Sequence, residues 1–491
     1  MPSDRRKFLK RAGSVAAVVG LAGCIGGGDG SGSATTDSGS AGGNTTTQNG
    51  DGGSDSATTD DSSMGSNTTG QDGDNGSDSA TTDDGSMGGN TTGQGDGSGG
   101  SGTPTIGVLL PFSGDYAWVG ANVLPVTEML VEEINNQGGI GGQQVSVVQA
   151  DTEASPDASL SAAQRLVNVE NVDGIIGPTS ITISSVFDLF IENTVPVVTP
   201  TAGTTSLDTR GGEYVFRTVS SDALGGRAIA KATRDQQYNT IQDYSRMALM
   251  VGNKEVFQSF KEPVRSSFEE FGGTVTTAMD IRTGKASYQS EVQAMMDSDP
   301  EITVLIASVE DSVKITEAGF QAGFEGNWFA TQDQTNQDFL SQSENQVTNG
   351  MLGLNAAAYQ PAQEAGRLES FYQRITEYAG WDEGSKTFAT NTYVAVNVLG
   401  LAMKQVAANG NDITRSNIAA AIPTVAQPPE TTVTSYTDGA ATIDEGVDID
   451  YAGLVGPINF DENGDIVAPF AIKKAQDGTW TEAASLPPEA L

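Results

Sequence analysis

From Thr103 to the C-terminus, hydrophobic positions follow two alternating rhythms. Short, nearly unbroken apolar runs occur at Ile106–Leu110, Gly174–Ile176, Val195–Val198, Met247–Val251 and Ile302–Ala307. Each is too short for a helix and apolar on both faces, as parallel strands covered on two sides must be. Between the runs, apolar residues recur three or four apart. Val123, Val126, Leu130 and Ile134 form one such stripe, closed by Asn135-Asn136-Gln137-Gly138-Gly139; Leu160, Ala163 and Val167 form another. Further helices are predicted over Ser180–Asn193, Ala223–Gln237, Phe257–Phe271, Tyr288–Asp297 and Ser312–Ala322. This alternation predicts an α/β protein of open, doubly wound sheets, and the length accommodates two of them.

In such sheets ligands sit beyond the carboxyl ends of the strands. The first three strand ends lead into Pro111–Trp118, Gly177-Pro178-Thr179-Ser180 and Thr199–Thr204, rich in hydroxyls and glycine and uncharged apart from Asp115. Later ends carry acids: Glu310-Asp311 and Asp333. A helix start bearing Ser or Thr offers N–H groups to a carboxylate, and an acid facing it pairs with an ammonium. That combination suits a zwitterionic ligand. The spacing alone leaves a plainer alternative open, with Ser180 only a helix cap and Asp333 only a solvated loop acid.

The first 102 residues read differently. Residues 1–28 open with Arg5-Arg6-Lys7-Phe8-Leu9-Lys10 and an apolar run, Ala12–Gly23, too short to span a bilayer, which together read as a secretory signal. The block resembles a twin-arginine export signal, although Asp4 stands where Ser or Thr is usual. Leu21-Ala22-Gly23-Cys24 is similar to a lipobox, which implies lipidation at Cys24 and anchorage on the extracellular face of the membrane. Residues 29–102 are almost purely Gly, Ser, Thr, Asp, Asn and Gln, with too little apolar surface to offset ordering entropy, and are expected to be a disordered tether. Within it Ser-Ala-Thr-Thr recurs every 23 residues, and Asn44, Asn67, Asn75 and Asn90 open N-glycosylation triplets. Composition alone also produces such triplets, so both readings stay open.

Composition removes several functions. The chain has no histidine and a single cysteine, which excludes Ser-His-Asp and Cys-His triads, internal disulfides and most zinc sites. Asp461-Glu462-Asn463-Gly464-Asp465 looks like a calcium loop, but Ile466 and Ile472 stand where its glycine and glutamate belong. No metal, cofactor or catalytic residue is expected, and the chain reads as a binding protein and not an enzyme. The net charge of −38 repels nucleic acid and reads as adaptation of a halophilic protein to high salt.

Five segments in order resemble the type I periplasmic binding proteins, in the branched-chain amino acid (Leu/Ile/Val) and amide-binding branch. They are Ile106–Gly114; Glu132–Asn135 with Gly138-Gly139-Ile140; Ile175–Pro178; Val195–Pro200; and Tyr214–Thr218. The resemblance implies two lobes joined by a three-segment hinge, lobe 1 spanning 103–221 and 355–465 and lobe 2 spanning 222–354 and 466–491. It places the ligand carboxylate at Ser180, beside Thr179, with the backbone of Thr201 and Ala202 lining the same pocket. Gly203 replaces the family's threonine, with Thr204 next in line to substitute. Asp222 falls on an acidic position near the first crossing, and Asp333 on the acid that pairs with the amino group. Phe257 lies beside an aromatic position, Ser308 stands where a tyrosine is expected, and Trp118 either covers the side-chain pocket or packs beneath the first loop. Residues 428–450 look like an acidic insertion. The implied function is the monomeric solute-binding component of an ABC importer, docking on its membrane subunits with a branched-chain amino acid or similar ligand. A ligand-sensing ectodomain on the same scaffold, and binding of an amide or urea, remain as alternatives.

Overall fold

The computed structural model describes residues 103–491 apart from 236, 239–242, 382–385 and 429. The signal, the lipobox with Cys24, the tether and the four Asn triplets lie outside the described residues.

Five parallel strands form the first sheet: β1 (Thr105–Leu110), β2 (Ser146–Asp151), β3 (Gly174–Ile176), β4 (Val197–Thr199) and β5 (Val215–Arg217), in the order β2-β1-β3-β4-β5. Consecutive β1 side chains alternate between the sheet's two faces. Val108 and Leu110 enter the core beneath the helices Ala117–Asn136 and Ala389–Ala408, while Leu109 packs with Leu166, Ile183 and Phe190 on the other side. That two-sided burial explains why the run Ile106–Leu110 shows no polar alternation.

The second sheet contains β6 (Arg246–Gly252), β7 (Thr274–Ile281), β8 (Ile302–Ile306), β9 (Asn327–Ala330) and β10 (Leu352–Ala356). The chain then returns to the first sheet's side through Ala389–Ala408, whose Val398 and Leu399 join the first core. A small sheet follows, of β11 (Thr431–Val433), β12 (Ile449–Gly453) and β13 (Gly456–Pro457). Finally β14 (Phe470–Gln476) and β15 (Thr479–Leu486) add antiparallel strands to the second sheet, giving β15-β14-β10-β9-β8-β6-β7. The chain therefore crosses three times between two α/β lobes.

Within residues 428–450, Val433, Tyr436, Ala440 and Ile443 belong to the first lobe's core, and the Tyr436 ring meets the long helix at Gly400. One sequence expectation changes here: the helix expected from Ser180 begins at Ile183, with Thr182 at its N-cap.

Candidate functional site

The carboxyl ends of β1, β3 and β4 carry the hydroxyl-rich turns, and one residue knits two of them. At the end of β4, the Thr199 hydroxyl donates to the Pro178 carbonyl at 2.7 Å and accepts from the N–H groups of Thr201 and Ala202 at 3.2 and 3.1 Å. Thr201 donates its own hydroxyl to Pro178 as well, at 3.2 Å, and Ser180 Oγ accepts from the Thr204 N–H at 3.2 Å. The approach of these turns requires glycine at 177, whose φ is 106° and whose missing Cβ would overlap the Leu109 carbonyl.

Beneath the turn at 203–204 lies Arg217, 1% exposed. Its guanidinium donates to the carbonyls of Gly203 and Thr204, both at 3.1 Å, and pairs with Asp208 and Asp465. Burial alone would lower the guanidinium's proton affinity, but the two carboxylates outweigh it and the net direction is upward. Asp208 in turn accepts from Ser221, which caps the helix Asp222–Arg234. The turn from β4, the end of β5 and the segment before β14 are thus held by one buried cation. Such a network is costly to break, because either partner alone would be an uncompensated buried charge.

From the other side, the loop after β9 brings in Asp333. Gln334 locks that loop: its Oε1 accepts from the Thr331 N–H at 3.0 Å, its Nε2 donates to the Ala307 carbonyl, and its own carbonyl accepts from Trp480 Nε1 at 3.1 Å. Burial pushes the Asp333 carboxyl up to about 7, partly offset by Lys254. Asp222, 8% exposed at the start of its helix, is likewise pushed to about 7 by burial, against the lowering effects of Ser259 and Arg217. Ser259 Oγ donates to Asp222 Oδ2 at 2.5 Å.

These elements border one open cleft. Of the residues expected from sequence, Trp118, Thr179, Ser180, Thr201, Asp222, Phe257 and Asp333 line it. Ala202 and Thr204 do not: Ala202 is fully buried in the first lobe's core, and Thr204 turns its hydroxyl to Ser206. The backbone role expected at 201–202 also changes, since both N–H groups are taken by Thr199. Sequence reasoning missed Tyr116, Gly203, Phe260, Ile306 and Phe388 as lining residues. Phe388 stacks on Trp118, centroids 6.1 Å apart and planes at 9°, so Trp118 is part of the cleft wall. Two buried hydroxyls at the cleft, Thr179 Oγ1 and Tyr116 Oη, have no partner among the described residues. No group of three or more acidic or sulfur side chains stands ready for a metal among the described residues.

The family profile described as "Periplasmic binding protein" matches residues 103–479. The Leu/Ile/Val-binding protein homolog 3 of Brucella melitensis is 25% identical over 388 residues, covering 76% of this chain and 92% of that protein. The fold matches the leucine-binding protein LivK of Thermotoga maritima, with TM-score 0.66, 22% identity and coverage of 79% and 100% of the two chains. It also matches a solute-binding protein of R. palustris solved with benzoate, with TM-score 0.61, 19% identity and coverage of 79% and 97%. Two lobes, three crossings and a cleft at the strand ends agree with these matches, and this chain belongs to the periplasmic binding protein family, in its type I branch with Leu/Ile/Val-binding relatives.

Proposed function

We propose that this protein is the exported solute-binding component of an ABC importer, tethered outside the membrane through lipidated Cys24, and that it closes as a monomer on a small zwitterionic amino acid. One observation carries the reading: Thr179 and Ser180, from one lobe, and Asp333, from the other, line the same cleft. The Ser180 hydroxyl accepts from Thr204 and keeps its proton for a ligand carboxylate. Thr179, buried and without a partner among the described residues, offers a second donor. Asp333 takes the ammonium, and Trp118, Phe257, Phe260, Ile306 and Phe388 surround the ligand's carbon skeleton.

A ligand that touches both lobes stabilises the closed arrangement by its differential affinity for it, so closure is a population shift about the three crossings. The domain boundaries expected at 221/222, 354/355 and 465/466 belong to the same proposal, the second falling within β10 and the third just before Ile466 and Ala468, which still pack in the first core. Relatives named for Leu/Ile/Val binding support the amino-acid class. The test is calorimetry of the protein, purified without its leader in high salt, against amino acids, aliphatic amides and urea. Saturable binding of an amino acid with apparent lobe closure by small-angle scattering is expected; binding of amides or urea alone would overturn the zwitterion assignment.

A further inference from the structure

A single zwitterion leaves this cleft unbalanced. Among the described residues its lining includes two carboxylates, Asp222 and Asp333, and no lysine or arginine; Lys254 acts on Asp333 from outside the lining. Arg217, close enough to act on Asp222, is committed to Asp208, Asp465 and two carbonyls. Above pH 7, where both acids are ionised, a ligand carboxylate held at Thr179 and Ser180 would bring a third negative charge, against one ammonium. Burying like charges together without compensation is unfavourable.

The two acids differ from the abundant surface acids of this chain in their placement. Asp222 is drawn to the cleft by geometry: its N–H donates to the Gly203 carbonyl at 2.7 Å, Ser259 fixes Oδ2, and Oδ1 fills the space that a Cβ on residue 203 would occupy. An adjoining vestibule, sharing Tyr116, Trp118 and Asp333 with the cleft, is bordered by Asp115 and by Glu310, which pairs with Lys314; no basic side chain is in its lining among the described residues. Acids lining an entrance raise the local concentration of cations. Independent of these charges, two residues that line the cleft carry buried hydroxyls with no partner among the described residues: Thr179, 6% exposed, and Tyr116, 9% exposed. Buried hydroxyls without partners are uncommon, and here a ligand would satisfy them.

Resting on the binding-protein reading above, we infer that the ligand carries two cationic groups, one held by Asp333 and the other by Asp222, as in a basic amino acid or an aliphatic diamine. The apolar wall of Phe257, Phe260 and Ile306 suits the methylenes that join such groups.

Calorimetry of the leaderless protein at pH 8 against L-leucine, L-lysine, L-ornithine and four- and five-carbon diamines tests this. L-lysine or L-ornithine is expected to bind about tenfold or more tightly than L-leucine, and Asp222→Asn to erase that ratio. A proton count on the wild-type protein stands in should the variant misfold. At pH 7, titrations in buffers of different ionisation enthalpy are expected to release about one proton per basic ligand and about half of one per leucine, because two half-protonated carboxyls are ionised and not one. Diamine binding without amino-acid binding would keep the two-cation chemistry and discard the carboxylate site. Leucine bound at least as tightly as lysine overturns the inference and leaves the proposed function intact; no binding by any of these ligands overturns the inference, and binding of no other amino acid either would overturn the proposed function too.

Discussion

Gly203 and Asp222 occupy one space: a Cβ on residue 203 would overlap Oδ1 of Asp222, with the Ser220 carbonyl 3.2 Å away. The contact is steric and involves no special backbone, since Gly203 is absent from the positive-φ positions. A missing side chain on one lobe's turn thereby sets where the first carboxylate of the other lobe's helix can stand.

Gly203→Ala should therefore act through Asp222. Overpacking of this kind costs about 1–3 kcal/mol, read as a lower Tm, and a displaced carboxylate should weaken ligand binding too. A double-mutant cycle separates the two causes: in an Asp222→Ala background the alanine at 203 should cost markedly less. An equal cost in both backgrounds would mean that Ser220, not Asp222, is the obstructing neighbour.

Asp333→Ala should weaken an ammonium ligand by about 3–5 kcal/mol, since it leaves a buried cation unpaired. Ser180→Ala should cost about 1–2 kcal/mol, because other donors remain. Isothermal titration orders the two; equal and small effects would remove Asp333 from the amino-group site.

Much of this arrangement was legible in the sequence, and the gaps have physical causes. β1, β3, β6 and β8 announce themselves because burial on both faces makes them apolar throughout. β2 and β7 escape notice because each is an edge strand, half-exposed and polar. The helix Ala389–Ala408 is buried on nearly every face, so it shows no amphipathic stripe, and Phe388 at its start gives no separate signal. Turn residues came through as a group but not singly. Thr201 and Gly203 face the cleft while Ala202, between them, points into the core, an alternation natural to extended chain. Which of three consecutive small residues would face the ligand depended on Thr199 claiming two N–H groups, a contact invisible in composition.

Arg217→Met tests the brace under that turn. It leaves Asp208 and Asp465 without their buried cation and two carbonyls without donors, a loss on the order of 3–5 kcal/mol. Thermal denaturation should show a large drop, and Arg217→Lys should recover little, since one ammonium cannot serve both carboxylates and both carbonyls in that fork. Full rescue by lysine would mean that charge alone, and not the planar geometry, holds the turn.

The cleft carboxyls also fix how the unliganded protein should respond to pH. Asp222 and Asp333 titrate at about 7 when folded, above the ordinary carboxylate value near 3.9 of an unfolded chain. Their folded forms therefore bind protons more tightly, so their contribution to stability is complete below about pH 4 and is lost as pH rises through 7. A cationic ligand reverses the sense. It binds the ionised carboxylates, so its affinity should fall by up to about tenfold per pH unit for each carboxylate as pH drops below 7, and level off above. Thermal shifts from pH 5 to 8, with and without ligand, should show the unliganded Tm declining and the ligand-induced increment growing. Asp333→Asn, which keeps the shape and removes one of the two titrations, should weaken both trends by about half, with Asp222 carrying the rest; unaltered trends in that variant would remove Asp333 from the pH response.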